Sequence, residues 1–422
     1  MRTVGLPDRL TVGGLSLVLL LTAHGSRLTA QTIAITGGTV YPVSGPKIER
    51  GTVLIRDGKI VAVGANVTVP GDAQRVDATG KWVTPGLVFA GSDAGTGVYG
   101  LFQLNEGRKQ GDINASFSPA EGIDAASLTI GQTRTGGVTT TIATPNGAFI
   151  TGTASAIDLA GDKLDDLLVN RATALVIDFG AGAHDAGGGS RAGGIARIRQ
   201  VFNDALEYDR RKAEYNRGAT QELSAPAKEL EALLPALRGR MPVVAIANRR
   251  MDIENALRIG REYKLRLIIA GGIESWLVAK ELAAANVPVA IQPNTDIPSF
   301  EGLQARLDIA TVLREAGVNI IIAQADAGGD RDLRYVAGNA VRNGISWDDA
   351  LKAITQSPAA AFGLTDRGTL ETGKVANVVV WSGDPLDFSG AAEKVFIRGK
   401  DVSLRTRETE LLERYRRLPV TY

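Results

Sequence analysis

Between residues 84 and 325 the chain alternates short apolar runs with segments of helical periodicity, and this alternation restricts the fold more than any other feature. The runs at 84–92, 138–144, 173–179, 242–247, 266–271, 287–292 and 318–325 are nearly continuous hydrocarbon, as strands covered on both faces are. Helical periods lie between them, for example Asp252 to Tyr263 and Ser275 to Ala285. Such an order predicts an α/β protein whose parallel sheet is wrapped by helices. Seven runs over this length fit a closed (β/α)8 barrel better than an open sheet, with the eighth strand expected in Phe149 to Leu159.

Both flanks read as β-structure instead. Ile33-Ala34-Ile35 precedes Gly37-Gly38, and Gly51-Thr52-Val53-Leu54-Ile55 meets Lys59-Ile60-Val61-Ala62-Val63 across Asp57-Gly58, a hairpin signal. Near the other end, Val375 to Trp381 and Lys394 to Val402 repeat the style. Neither end has enough strands for a stable sheet of its own, so the two are expected to pair. The resulting division is a signal peptide at 1–30, half of a small β-sandwich at 31–82, a TIM-like barrel at 83–365, the second sandwich half at 366–403, and a C-terminal helix at 404–422.

Arg2 and Arg9 precede the uncharged stretch Leu10 to Ala23, and small residues at Ala23-His24-Gly25 and Leu28-Thr29-Ala30 offer cleavage points. A spanning helix needs about 20 apolar residues, so this reads as a removed signal peptide rather than an anchor. It predicts an exported, soluble protein, periplasmic in a Gram-negative cell, with no membrane span after processing. Cysteine is absent, which excludes disulfides, thiolate metal sites and nucleophilic cysteine. A net charge of +1 gives no basic field for nucleic acid.

One stretch departs from the alternation. Gly180 to Gly194 is rich in glycine and follows a strand, so it reads as a flexible segment at the mouth of the barrel. Beyond it, Ile195 to Arg240 is charged and reads as two helices split near Gly218 and Pro226, with a solvated face.

Gly37-Gly38-Thr39-Val40-Tyr41 with Asp57-Gly58-Lys59-Ile60, Pro85-Gly86-Leu87, Gly136-Gly137-Val138-Thr139-Thr140, Pro358-Ala359 with Gly363, and Gly368-Thr369-Leu370 with Gly373-Lys374 follow one another along the chain. In this order the blocks resemble the amidohydrolase superfamily and within it the exported, imidazolonepropionase-like branch. The resemblance implies metal-assisted attack of water on a carbon–nitrogen bond other than a peptide bond. Zinc or another divalent ion would be held by imidazoles and a carboxylate. In that family the first barrel strand ends in His-x-His; here Val83 to Asp93 keeps the frame but places Gly91 and Asp93 there. Ile246 occupies the next histidine position and Ala270, or a neighbour, the last. The chain has two histidines, His24 and His184, so the imidazoles have not moved elsewhere, and no metal cofactor is expected. Asp326 matches the aspartate that orients the water in the family. Asn377 stands where an aspartate is usual after Gly-Lys-x-Ala, a difference expected to matter for packing alone.

Each candidate has two readings. Asp326 is a retained general base or ligand, or a turn aspartate opening Asp326-Ala327-Gly328-Gly329. His184 is a general base in a mobile lid, or an exposed loop residue. Arg191 is an anion contact. Asn248 ends a strand, and Glu274 follows Gly271-Gly272 at a turn that either cradles a ligand or is simply tight. Asp93, Asp178 and Asp326 would make an oxygen site for magnesium or calcium if they converged. Three functions stay open: a pseudoenzyme that binds a small molecule, a further copy of itself or an active homologue; an active hydrolase with a carboxylate-based site; and a structural scaffold of the cell envelope.

Overall fold

The computed structural model describes residues 32–96, 108–219, 221–294, 300, 302–323 and 330–416. The expected signal segment, Asp326 and the last six residues of the expected C-terminal helix lie outside them.

The chain opens with strands β1 (Thr32–Val40), β2 (Ile48–Arg56), β3 (Lys59–Gly64), β4 (Gln74–Asp77) and β5 (Trp82–Pro85). The β2–β3 hairpin turns at Asp57-Gly58, both at positive φ, the backbone a two-residue turn of this type needs. The barrel strands follow: β6 (Leu87–Ser92), β7 (Arg108–Ile113), β8 (Val138–Ala143), β9 (Asn146–Asp158), β10 (Leu168–Asp178), β11 (Val243–Ala247), β12 (Leu267–Gly271), β13 (Val289–Ile291) and β14 (Ile320–Ile322). The chain then returns to the first sheet with β15 (Val378–Trp381), β16 (Ala392–Ile397) and β17 (Lys400–Val402).

The two chain ends form one eight-stranded sheet in the order β17-β16-β15-β5-β1-β2-β3, with β4 on β1. Its seam is the antiparallel ladder β5–β15, which sets Trp82 opposite Trp381 and Pro85 opposite Val378. One edge of β1 bonds β4 along Ile33–Thr36 and then β5 at Thr39 and Val40. The sheet therefore forks there and folds over Ile33, Ile35, Ile55, Ile60, Val380 and Phe396.

The second sheet runs β6-β8-β9-β10-β11-β12-β13-β14, with β7 on β9. Its ends, β6 and β14, touch, so the sheet nearly closes as a barrel. Residues alternate strictly along it: Val243, Ala245, Leu267 and Ile269 face the helices, while Val244, Ile246, Ile268 and Ala270 face the interior. That is the period of two of a pleated strand.

One expectation needs correction. The eighth strand is β9, at the expected place, but it runs antiparallel to both neighbours. The cause is the link: only Thr144-Pro145 separates β8 from β9, and a parallel crossover needs a dozen residues or more. The barrel is thus TIM-like with one reversed strand.

The glycine-rich segment is the second correction. It is not an open lid but two helices, Ala181–Ala186 and Arg191–Arg210, joined by a tight turn. Its glycines serve close packing. A Cβ on Gly187 would stand 2.1 Å from Gly194 N, and one on Gly194 would stand 2.2 Å from the Ala183 carbonyl. Asp178 closes the helix start by accepting from Gly180 N at 2.7 Å and Gly182 N at 3.0 Å. Beyond Arg210, helices Lys212–Tyr215 and Ala227–Leu237 break where Gly218 and Pro226 fall.

A buried polar cluster joins the barrel to the sheet. Asp158, at the end of β9 and without solvent exposure, accepts from Thr140 Oγ1 at 2.7 Å, Arg367 Nη1 at 2.7 Å and Asn377 Nδ2 at 3.2 Å. Arg398 Nε lies 3.6 Å from its second oxygen. Burial pushes the carboxyl up from its ordinary value, while Arg367, Thr140, Arg398 and Asn377 pull it down. Asn377 is therefore more than filling: its amide donates where the family's aspartate would face Asp158 with a like charge.

Two outcomes follow from this packing. Asp158→Asn and Asn377→Asp will each lower the unfolding free energy, the first by about 1–3 kcal/mol because the buried Arg367 loses one hydrogen-bonded carboxylate and keeps the exposed Asp366. The double substitution, which restores one carboxylate, will recover part of the loss. Urea unfolding of the four proteins checks this, and strict additivity would show that the two residues do not interact. Backbone amides of His184, Gly187 and Gly194 will be protected in hydrogen exchange of the free protein, since each donates to a carbonyl within the helix pair. Exchange as fast as in an open loop would contradict it.

Candidate functional site

Ligand sites of such barrels form at the ends of the strands where the chain leaves for its helices. The cavity at this end has a volume of about 420 Å³. β11 contributes Val244 and Ile246, and Asn248 just beyond; β12 contributes Ile268, Ala270 and Gly271; β13 contributes Ala290 and Ile291, with Gln292 just beyond. Gly91, Ile309, Ala323 and Phe362 complete much of the wall.

The wall is layered by the strand period. Ile246, Ala270 and Ala290 stand in one rung across β11, β12 and β13, a floor of hydrocarbon. Two residues further out the polar side chains begin. Asn248 lies against β12 so closely that a Cβ on Gly271 would stand 2.2 Å from its Oδ1. Gly271 also holds φ at +88°, so glycine is required there on both counts. Asn248 Oδ1 and Gln292 Nε2 are buried without hydrogen-bond partners, an arrangement that costs about 1–3 kcal/mol for each group. The charge at the edge is internally matched. Arg306 binds Asp308 through Nε and, at 2.6 Å, through Nη2, and this pairing holds the Asp308 carboxyl below its ordinary value. Its guanidinium also lies 4.7 Å from the Trp276 ring centre.

Gly91, Ile246 and Ala270, the positions that the resemblance assigns to metal-binding imidazoles, all line this cavity and offer no side-chain donor atom. Asp93, assigned with them, has a carboxylate and is exposed. Among the described residues no group of three or more His, Cys, Asp and Glu could hold an ion. These residues do not fit a resident divalent metal.

The other expected site residues are dispersed. His184 sits in the helix Ala181–Ala186, its side chain 43% exposed and its Nδ1 3.1 Å from Asp185. Arg191 turns inward, giving Nε to the fully buried Asp252 at 2.8 Å; its anion belongs to the chain itself. Arg250 pairs with Glu254 at 2.7 Å. Glu274 is nearly buried and accepts from Arg250 N at 2.8 Å, capping the helix Arg250–Tyr263, while its own N–H bonds the Asn248 carbonyl at 2.8 Å. Of these residues Asn248 alone lines the cavity. Asp178 is spent on its helix start, and Asp326 lies outside the described residues. Gln292 and Arg306 were missed by sequence reasoning. Gln292 had a signal: it is a polar residue ending a buried strand two positions after the inward Ala290. Arg306 had none, because its place depends on how the segment after β13 folds back.

The comparisons with known proteins agree with this architecture. A model described as the amidohydrolase family matches residues 326–402. An amidohydrolase of known structure from Thermotoga maritima is 29% identical, with a TM-score of 0.81, covering 88% of this chain and 100% of that one. An imidazolonepropionase of a Bradyrhizobium species is 25% identical over 398 residues, covering 83% of this chain and 91% of that protein. An amidohydrolase of Hapsidospora irregularis is also 25% identical, and here the match spans 83% of this chain but 39% of that longer protein. Its barrel, its sheet built from both chain ends and these likenesses support the amidohydrolase superfamily.

Proposed function

We propose that this protein is an exported small-molecule binding protein on an amidohydrolase barrel, without the metal-assisted hydrolysis of its superfamily. One observation carries the reading: Gly91, Ile246 and Ala270, at the positions assigned to metal-binding imidazoles, instead line one apolar cavity. Hydrolysis by the superfamily's route needs nitrogen and oxygen ligands that hold an ion and acidify its water, and hydrocarbon supplies neither. What the same surface does supply is a dry, concave wall with a few polar groups at its edge, the usual make-up of a small-molecule site. Export to the periplasm rests on Arg2, Arg9 and the apolar run Leu17-Val18-Leu19-Leu20-Leu21. Among the described residues no helix is long and apolar enough to cross a membrane.

Elemental analysis of protein purified without chelator tests the reading. Zinc, manganese and iron will each fall far below one ion per chain. A stoichiometric ion released only by strong chelators would overturn it. A second test restores the lost pair. Gly91→His with Asp93→His will not produce metal-dependent turnover of amides, ureas or cyclic imides, because Ile246 and Ala270 remain. It will also destabilise the fold by about 1–3 kcal/mol, since Gly91 holds φ at +86°. Robust turnover by the double variant would mean that a working ligand set survives.

A further inference from the structure

Arg134 is a half-buried cation that no carboxylate meets. It lies in the last turn of the helix Leu128–Thr135, which leads into β8 at the end of the barrel opposite the mouth. Its guanidinium makes one long hydrogen bond, from Nη1 to the Leu159 carbonyl at 3.4 Å. Among the described residues no carboxylate stands within ion-pair distance of it, and burial pushes the group down from its ordinary value with no neighbouring charge to offset this. Arg134 lines a cavity of about 720 Å³, shared with the segment around Gly161, with β17 and with the start of the helix Arg407–Tyr415.

Two further features of the Arg134 helix belong to the same cavity. Gly131 lines it, and a Cβ there would stand 3.8 Å from Arg134 Nη2 and 4.0 Å from the Arg405 carbonyl, with nothing nearer. Glycine weakens a helix interior, and no clash demands it here; what it leaves is room beside Nη2. At the other end of the helix the cap Ser127 makes no side-chain hydrogen bond, and Ser127 and Leu128 line the cavity as well, so the first turn adds partial positive charge. Most other charges of the wall are committed. Arg405 is held by Glu413 at 2.8 Å, Asp401 by Lys394 at 2.6 Å and Glu410 by Arg407 at 3.6 Å. Arg398 reaches Asp158 and the Ala160 carbonyl. Asp162 and Asp166 are exposed, and Lys400, also exposed, has no carboxylate partner among the described residues.

We infer that this cavity, separate from the one at the mouth, binds an oxyanion, the carboxylate or phosphate group of a small molecule, on the Nη2 side of Arg134, with Lys400 adding charge. A half-buried guanidinium without a partner costs the free protein stability, and its planar fork suits both groups. The bound anion supplies the charge that the chain leaves out. The inference does not depend on what the mouth binds.

Thermal unfolding and calorimetric titration of the full chain in chloride buffer of fixed ionic strength test this, with inorganic phosphate and acetate as probes. At least one probe will bind at one site per chain and raise the unfolding midpoint saturably; the tighter of the two shows which group the site takes. Arg134→Gln will weaken that probe about tenfold or more. In chloride alone its midpoint will be no lower than that of wild type, because the substitution removes a charge that had no partner. Gly131→Leu, which keeps Arg134 and fills the space beside it, will also abolish binding without lowering the chloride midpoint. Lys400→Gln will weaken binding severalfold. Equal midpoints of wild type in phosphate, acetate and chloride overturn the inference, as does binding that survives both Arg134→Gln and Gly131→Leu. Should Arg134→Gln not fold, loss of the response in Gly131→Leu supports the site and its survival overturns it.

Discussion

A carboxylate with no access to water joins the two parts of this molecule. Asp158 ends a barrel strand; its donors come from the barrel (Thr140), from the connection back to the sheet (Arg367) and from the residue before β15 (Asn377), and Arg398, in the turn after β16, lies 3.6 Å from its second oxygen. Such a charge is tolerated inside a protein when it is paired, and here Arg367 and Arg398 pair it, although its second oxygen accepts no hydrogen bond. The sheet therefore docks in the one position that brings Asn377 and Arg398 to it. An aspartate at 377 would break this arrangement by putting two carboxylates in one dry place.

Around that cluster the joint is closed by contacts too tight for any side chain but hydrogen. A Cβ on Gly137 would stand 2.1 Å from the ring of Trp381, and Gly137 sits at φ +78°. Trp381 is fully buried and gives its indole N–H to Thr84 at 2.8 Å. These residues lie in the sequence blocks through which the superfamily is recognised. The blocks thus describe how barrel and sheet fit together, not what the barrel catalyses.

At the opposite end of the barrel the same strand period that builds the core builds the cavity. Inward positions are hydrocarbon for two rungs and become amides at the third, where the strands end. The barrel interior is elsewhere filled by Val88, Ile142, Val176 and Ile321, so the cavity is a local gap above a packed core. Gly91, Ile246 and Ala270 shape its wall, with Asn248, Gln292 and Arg306 as polar lining residues.

The sequence by itself determined the class of fold, because apolar runs separated by helical periods have few ways to hide both faces of each strand. It also placed the β9 strand and the Asp57-Gly58 hairpin, both of which depend on local pattern. Only the tertiary structure decided the direction of β9, since the two-residue link acts through ladder geometry and not through composition. It likewise turned the glycines at 187 and 194 from a presumed lid into a helix contact, because the sequence has no sign of which backbone will approach another. The pairing of Arg191 with Asp252 and the docking of Asn377 on Asp158 join residues 61 and 219 positions apart. Side-chain chemistry was legible residue by residue; which groups would face each other, and which would be left unpaired at the rim of a cavity, was set by strand order and register.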